Sequence, residues 1–137
     1  MIARVREAVF NILGPRLHGA RVGDCFSGTG AIGLEALSRG ALYVDYYESG
    51  RLASKALLEN VSALSVEANI TLHRRPLPGA IVPGDPWDVL MIDPPWGKEL
   101  GPPTASAALK AGRLHADSVV TLSERHGLGG DDAQWHG

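Results

Sequence analysis

The chain reads as one α/β domain built on an open sheet of parallel strands with helices on both faces, and three observations point there. Short apolar runs alternate with amphipathic helical segments, the pattern that yields parallel strands joined by right-handed crossovers. A glycine-rich turn, Asp24-Cys25-Phe26-Ser27-Gly28-Thr29-Gly30-Ala31-Ile32-Gly33, separates the first strand from the following helix. An acid-Pro-Pro-aromatic tetrapeptide, Asp93-Pro94-Pro95-Trp96, follows the apolar run Val89-Leu90-Met91-Ile92. It therefore sits at the carboxyl end of a buried strand, where open α/β sheets place their chemistry.

Each element has its own signal. Val5, Val9, Ile12 and Leu13 recur at helical spacing and predict an opening helix that Gly14-Pro15 ends. A short strand should finish near Asp24. Residues 30–39 form the next helix, with Glu35 and Arg39 an i,i+4 pair and Gly40 a carboxyl-terminal cap. A second strand covers 42–47, a third helix 51–64 and a third strand 69–73. Residues 76–86, with four prolines and two glycines, read as a loop. The fourth strand runs over 88–92 and the fifth over 118–122. The domain thus spans 1–126, and the Gly- and Asp-rich tail 127–137 is expected to be disordered, with no role for Trp135.

Composition narrows the function class. With 137 residues, 45% of them hydrophobic, the chain can bury one core, and no apolar run is long enough to cross a membrane. No signal peptide is visible, because Arg4, Arg6 and Glu7 follow Met1 closely. The single Cys25 excludes an internal disulfide and suits a reducing cytoplasm. The five histidines show no metal-ligand spacing with one another or with Cys25, so no metal is expected. The net charge of −2 hides a local balance of +3 before Asp24, compatible with a small basic patch.

The tetrapeptide suits a planar amine. The nitrogen lone pair of a nucleobase amine or carboxamide is delocalised, so the group must be held and partly rehybridised before it attacks. A carboxylate at Asp93 accepts hydrogen bonds only, and Pro94 offers a carbonyl without a competing N–H. Together they can accept both amine protons and turn the lone pair toward an electrophile. Trp96 would stack on the ring.

The glycine turn contains a literal GxGxxG, with Glu48 twenty residues after Gly28, the dinucleotide spacing. A carboxylate at Asp24, however, is misplaced for a pyrophosphate. S-adenosylmethionine carries a sulfonium and an ammonium instead of phosphates, and its ribose hydroxyls want an acceptor. Asp24, Glu48 and Asp93 at the ends of three strands favour that cationic cofactor over NAD.

Residues Arg4 to Leu13, the block Asp24 to Ala41, then Glu48, Asn60 and Asp93-Pro94-Pro95-Trp96, resemble the bacterial 16S ribosomal RNA guanine-N2 methyltransferase family over roughly residues 4 to 125. The resemblance implies a Rossmann-like class I methyltransferase with a sheet of about five strands in the order 3-2-1-4-5. It implies methyl transfer from S-adenosylmethionine to the exocyclic N2 amine of a guanine in 16S rRNA, free or in a small-subunit assembly intermediate. By position, Asp24, Phe26, Ser27, Gly28 and Gly30 would line the methionine side of the cofactor and Glu48 would hold the ribose. Asp93, Pro94, Pro95 and Trp96 would hold the flipped guanine.

Family members tend to carry a small or polar pair after the third strand, near the adenine, where this chain has Arg74-Arg75-Pro76. Val119 and Val120 would lie on an open edge strand, offering a route to a homodimer. Other readings are a shortened, non-catalytic binding or dimerisation module, an adenine or glutamine amino methyltransferase, and an NAD-dependent oxidoreductase.

Overall fold

The computed structural model describes residues 1–125 and 133–136. Six strands form one sheet: β1 Arg21–Cys25, β2 Tyr43–Tyr47, β3 Ile70–His73, β4 Trp87–Ile92, β5 Leu114–Arg125 and β6 Ala133–His136. Four α-helices accompany them: α1 Ala3–Leu13, α2 Ala31–Ser38, α3 Arg51–Ala63 and α4 Gly101–Lys110. The strand order is β3-β2-β1-β4-β5-β6. The first five strands are mutually parallel and stand in the expected 3-2-1-4-5 order. Order reverses between β1 and β4, the position at which such sheets open a crevice at the carboxyl ends of their strands.

The two faces of the sheet carry separate cores. Val9, Phe10 and Leu13 of α1 pack with Ala36 of α2, Leu57 and Val61 of α3, and the strand residues Val22, Val44, Tyr46, Val89 and Met91. On the other face Cys25, Tyr47, Leu90, Ile92 and Leu122 meet Ala108 of α4 and the loop residues Ala80 and Ile81. Both faces are covered, so the central strands send apolar side chains to both sides, with Asp24 and Asp45 as buried acids among them. The β4–β5 register shifts between Trp87 and Val89, with the extra residues in β5 between Leu114 and Val119, and Trp87 packs in the second core.

The structure corrects several expectations. The stripe on α1 buries Val9, Phe10 and Leu13, whereas Ile12 is 81% exposed. Helix α4 was not foreseen: Pro102 and Pro103 look like breakers, yet proline is tolerated in a first helical turn, where its missing N–H costs nothing. Part of the tail expected to be disordered supplies β6, which pairs antiparallel with β5. β6 covers the β5 edge from Leu122 to Arg125 and does not reach Val119 and Val120, whose outer edge has no partner strand among the described residues. The rest of that tail lies outside the described residues. No helix among the described residues is long and apolar enough to cross a membrane.

Candidate active site

The carboxyl ends of β1, β2 and β4 carry the glycine turn, Glu48 and the Asp93 tetrapeptide. Phe26, Gly28, Glu48, Asp93 and Pro95 line one cavity of ≈ 300 Å³, joined by Tyr47, Ser49, Arg75, Pro76, Leu77 and Leu100. The volume lies at the lower end of the roughly 300–1,000 Å³ of small-molecule sites. Phe26 and Pro95, far apart in sequence, thus meet because β1 is flanked by β2 and β4.

The glycine turn is held from three sides. Glu48 accepts the Gly28 N–H through Oε1 at 2.8 Å and the Gly50 N–H through Oε2 at 2.7 Å. Ser27 Oγ donates to the Asp24 carbonyl at 2.6 Å and accepts the Tyr47 N–H at 3.1 Å. Asn60 of α3 donates to the Thr29 carbonyl at 3.0 Å, a structural role for that side chain. These clamps hold Phe26 in a left-handed conformation, φ 63°, an arrangement that surrounding structure must enforce in a non-glycine residue.

Gly28 and Gly33 serve different ends. A Cβ at Gly28 would meet nothing within 4 Å, which leaves room for a ligand beside the turn. At Gly33 a Cβ would fall 2.4 Å from the Tyr46 ring. The buried Tyr46 hydroxyl in turn donates to the Gly30 carbonyl at 2.8 Å. The third glycine of GxGxxG is therefore a packing residue between α2 and β2.

Asp24 occupies a place the sequence did not suggest. It is 1% exposed and does not line the cavity; its Oδ2 accepts the Gly33 N–H near the start of α2 at 3.0 Å, and its Oδ1 has no protein partner. Burial raises its pKa to about 8, opposed by the Gly33 hydrogen bond and reinforced by the charges of Asp93 and Glu48. The rim consequently presents two carboxylates, Glu48 and Asp93, with a third carboxyl group beneath the turn.

The tetrapeptide divides likewise. Asp93 is partly buried, its N–H directed at the Cys25 carbonyl at 3.3 Å, and the Met1 amino group lies 2.7 Å from Oδ2. Pro95 lines the cavity, whereas Trp96 projects from it, 60% exposed. Arg74 and Arg75 also separate: Arg75 lines the cavity and Arg74 does not. Ser27, Gly30 and Pro94, like Asp24 and Trp96, are not among the cavity-lining residues. Cys25 is fully buried and its thiol pKa is pushed well up by burial and by Asp24 and Asp45, so it is no nucleophile.

Sequence reasoning missed a buried polar cluster beneath the cavity. Asp45 accepts from Trp87 Nε1 at 2.8 Å and Arg113 at 3.0 Å, with His73 Nε2 also at 3.0 Å. Burial opposes its ionisation, but the His73 and Trp87 hydrogen bonds and the Arg113 charge hold its carboxyl below the usual carboxylate range. Arg113 lies over the Trp87 ring, and His73 stacks on cavity-lining Tyr47 with centroids 4.4 Å apart. The available signal was Asp45 itself, an acid between apolar neighbours in a strand, which must be paired if buried.

The donor set fits S-adenosylmethionine. Each Glu48 oxygen spends one acceptor site on a backbone N–H, leaving others for ribose hydroxyls. Two rim carboxylates suit a sulfonium and an ammonium, Leu77 offers an apolar face for a base, and Gly28 leaves space for close approach. Among the described residues no cluster of His, Cys, Asp or Glu is placed to hold a metal.

Comparison with known proteins places the chain in a family. The family described as conserved hypothetical protein 95 matches residues 1–131. Ribosomal RNA small subunit methyltransferase D of Escherichia coli (strain K12) is 31% identical over 134 residues, covering 96% of this chain and 68% of that protein. A solved structure described as a putative methyltransferase yhhF from Escherichia coli superposes with a TM-score of 0.83 at 32% identity, covering 89% of this chain and 69% of that one. A SAM-dependent methyltransferase from Thiobacillus denitrificans, solved with S-adenosyl-L-homocysteine, has a TM-score of 0.67 at 19% identity over 84% of this chain and 47% of its own. That likeness bears on the fold alone.

Proposed function

This chain belongs to the conserved hypothetical protein 95 family, together with the ribosomal RNA small subunit methyltransferases D, and from that premise we propose that it is an S-adenosylmethionine-dependent rRNA methyltransferase acting on the N2 amine of a guanine in 16S rRNA. The observation that carries the reading is the single cavity on which Gly28, Glu48, Asp93 and Pro95 converge. Such chemistry belongs in the cytoplasm, on free rRNA or on a small-subunit assembly intermediate.

The residues divide the work. The backbone around Phe26 and Gly28 and the spare acceptor sites of Glu48 hold the cofactor's methionine and ribose parts, while Leu77 borders its base. Asp24, pinned to the Gly33 N–H, keeps α2 in register with β1 and so fixes the turn. When bound, S-adenosylmethionine supplies an electrophilic methyl group. Asp93 and the Pro94 carbonyl accept hydrogen bonds from the two N–H groups of the guanine amine and orient its lone pair, and the Asp93 carboxylate stabilises the cationic nitrogen until it releases one proton to solvent. Trp96 covers the exposed face of the flipped base. Catalysis is then positioning of two reactants at near-attack distance.

The test separates the two halves of the cavity. Asp93→Ala should abolish methyl transfer to 16S rRNA while calorimetry shows nearly intact S-adenosylmethionine binding. Glu48→Ala should weaken that binding about tenfold, the loss of a charge-assisted hydrogen bond. Equal loss of binding and turnover in Asp93→Ala would sink its assignment to the amine. Mapping the product to a ring nitrogen, or to adenine, would sink the guanine-N2 reading.

A further inference from the structure

Beside the cavity, on the outer side of α3, lies a second and shallower groove of ≈ 770 Å³ lined by Arg51, Leu52, Lys55, Leu58 and Arg74, with Glu59 at its side. Three cations face one acid there, on a chain whose net charge is −2. Among the described residues none of those cations is held in an ion pair; the guanidinium partners are found elsewhere, at Arg6, Arg21, Arg39 and Arg113. Leu52 is 81% exposed and Leu58 38%, so the basic groups border apolar surface open to solvent.

Groove and cavity share a wall. β2 and β3 end side by side, Tyr47 paired with His73, and each continues into both features. After β2, Glu48 and Ser49 line the cavity and Arg51 lines the groove; after β3, Arg75 lines the cavity and Arg74 the groove. A polyanion leaving the cavity at this rim meets Arg74 and Arg51 first and Lys55 next. Arg51 opens α3, which has no acidic residue in its first turn, the reverse of the charge order a helix prefers.

We propose that this groove is a docking surface for single-stranded RNA flanking the nucleotide held in the cavity. The inference rests on the rRNA methyltransferase reading and adds to it the place where the strand is gripped. Arg51, Lys55 and Arg74 contact phosphates, and Leu52 and Leu58 give the unstacked bases apolar surface beside that cationic track.

The experiment compares the full chain with the Arg51→Ala/Lys55→Ala/Arg74→Ala variant in binding to a 16S rRNA fragment over a range of salt concentrations. Each lost phosphate contact on a single strand removes about 0.7 from the log–log salt slope, so the triple variant should be shallower by about 2. Its RNA affinity at low salt should fall by roughly tenfold or more, with S-adenosylmethionine affinity unchanged. Glu59→Gln should move RNA affinity the other way, an outcome that damage to the fold does not produce. Equal salt slopes for variant and native chain would overturn the proposal. So would weaker binding to the assembled particle alone, which would give the groove to a protein. If the native chain binds the cofactor but neither RNA nor particle, the rRNA reading itself falls.

Discussion

Asp24 offers the sharpest physical test. Its carboxyl is buried, its pKa is raised from 3.8 to about 8, and desolvation is the main cause. In the unfolded chain the group loses its proton near the ordinary value; in the folded chain it keeps it until about pH 8. Between those values the folded state binds more protons, so stability falls as pH rises through this window and levels off above it. Roughly four pKa units at 1.36 kcal/mol each correspond to about 5 kcal/mol, comparable with the whole stability of many domains.

Asp24→Asn removes the titration while keeping an oxygen for the Gly33 N–H and placing an NH2 where the unpartnered Oδ1 lies. Urea unfolding of both chains, read by circular dichroism from about pH 5 to about pH 8, isolates the effect, because every other titrating group is common to the two. The variant should gain on the native chain by several kcal/mol across that range. Parallel stability curves, or a native chain that gains on the variant toward alkaline pH, would refute the assignment of a buried, proton-bearing Asp24.

Other perturbations follow from the same geometry. Gly33→Ala forces a methyl to within 2.4 Å of the buried Tyr46 ring, so it should cost about 3 kcal/mol and roughly 10 °C in Tm; an unchanged melting curve would mean the turn and β2 are not packed as described. Asp45→Ala strands the Arg113 guanidinium, the Trp87 N–H and His73 together and should destabilise by about 3–5 kcal/mol, whereas a loss under about 1 kcal/mol in urea unfolding would show the cluster to be dispensable. Trp96, 60% exposed, should tolerate Trp96→Ala within about 0.5 kcal/mol of stability, yet that change should cut turnover far more than Trp96→Tyr. Equal turnover of the two variants would remove base stacking from the mechanism.

The elements that sequence reasoning located best are those whose pattern has one physical cause. β4 lies between covered faces and carries the apolar run Val89 to Ile92; Gly28 and Gly30, both at positive φ, mark a turn that favours glycine; Glu48 and Asp93 stand at strand ends. Periodicity alone could not choose between Ile12 and Phe10, because they lie on opposite flanks of the Val9–Leu13 stripe and only the helix's tilt on the sheet decides which flank is covered. Helix α4 was obscured by Pro102-Pro103 and by an alanine-rich body with little amphipathic contrast. The roles of Asp24 and Ser27 were out of reach for a different reason. Both residues are adjacent to the ligand-cradling turn in sequence, but their side chains are spent on Gly33, the Asp24 carbonyl and the Tyr47 N–H, partners set by tertiary approach. Tyr46, Tyr47 and Asp45 were passed over as ordinary strand residues, although they tie β2 to the glycine turn, β3 and β4.

The reversal of strand order between β1 and β4 also sets a timetable for synthesis. By the time α3 leaves the ribosome, β1 can pair with β2, but its other edge waits for a strand that begins at Trp87. At about 5–20 residues per second the nascent chain spends several seconds with that edge and its apolar faces uncovered. The cleft that would hold cofactor and base is thus assembled late, and a fragment ending before Asp93 can display the glycine turn without the carboxylate opposite it. Such an intermediate has every reason to be escorted by a chaperone, and slowing translation between residues 64 and 87 should raise the fraction of chain that aggregates.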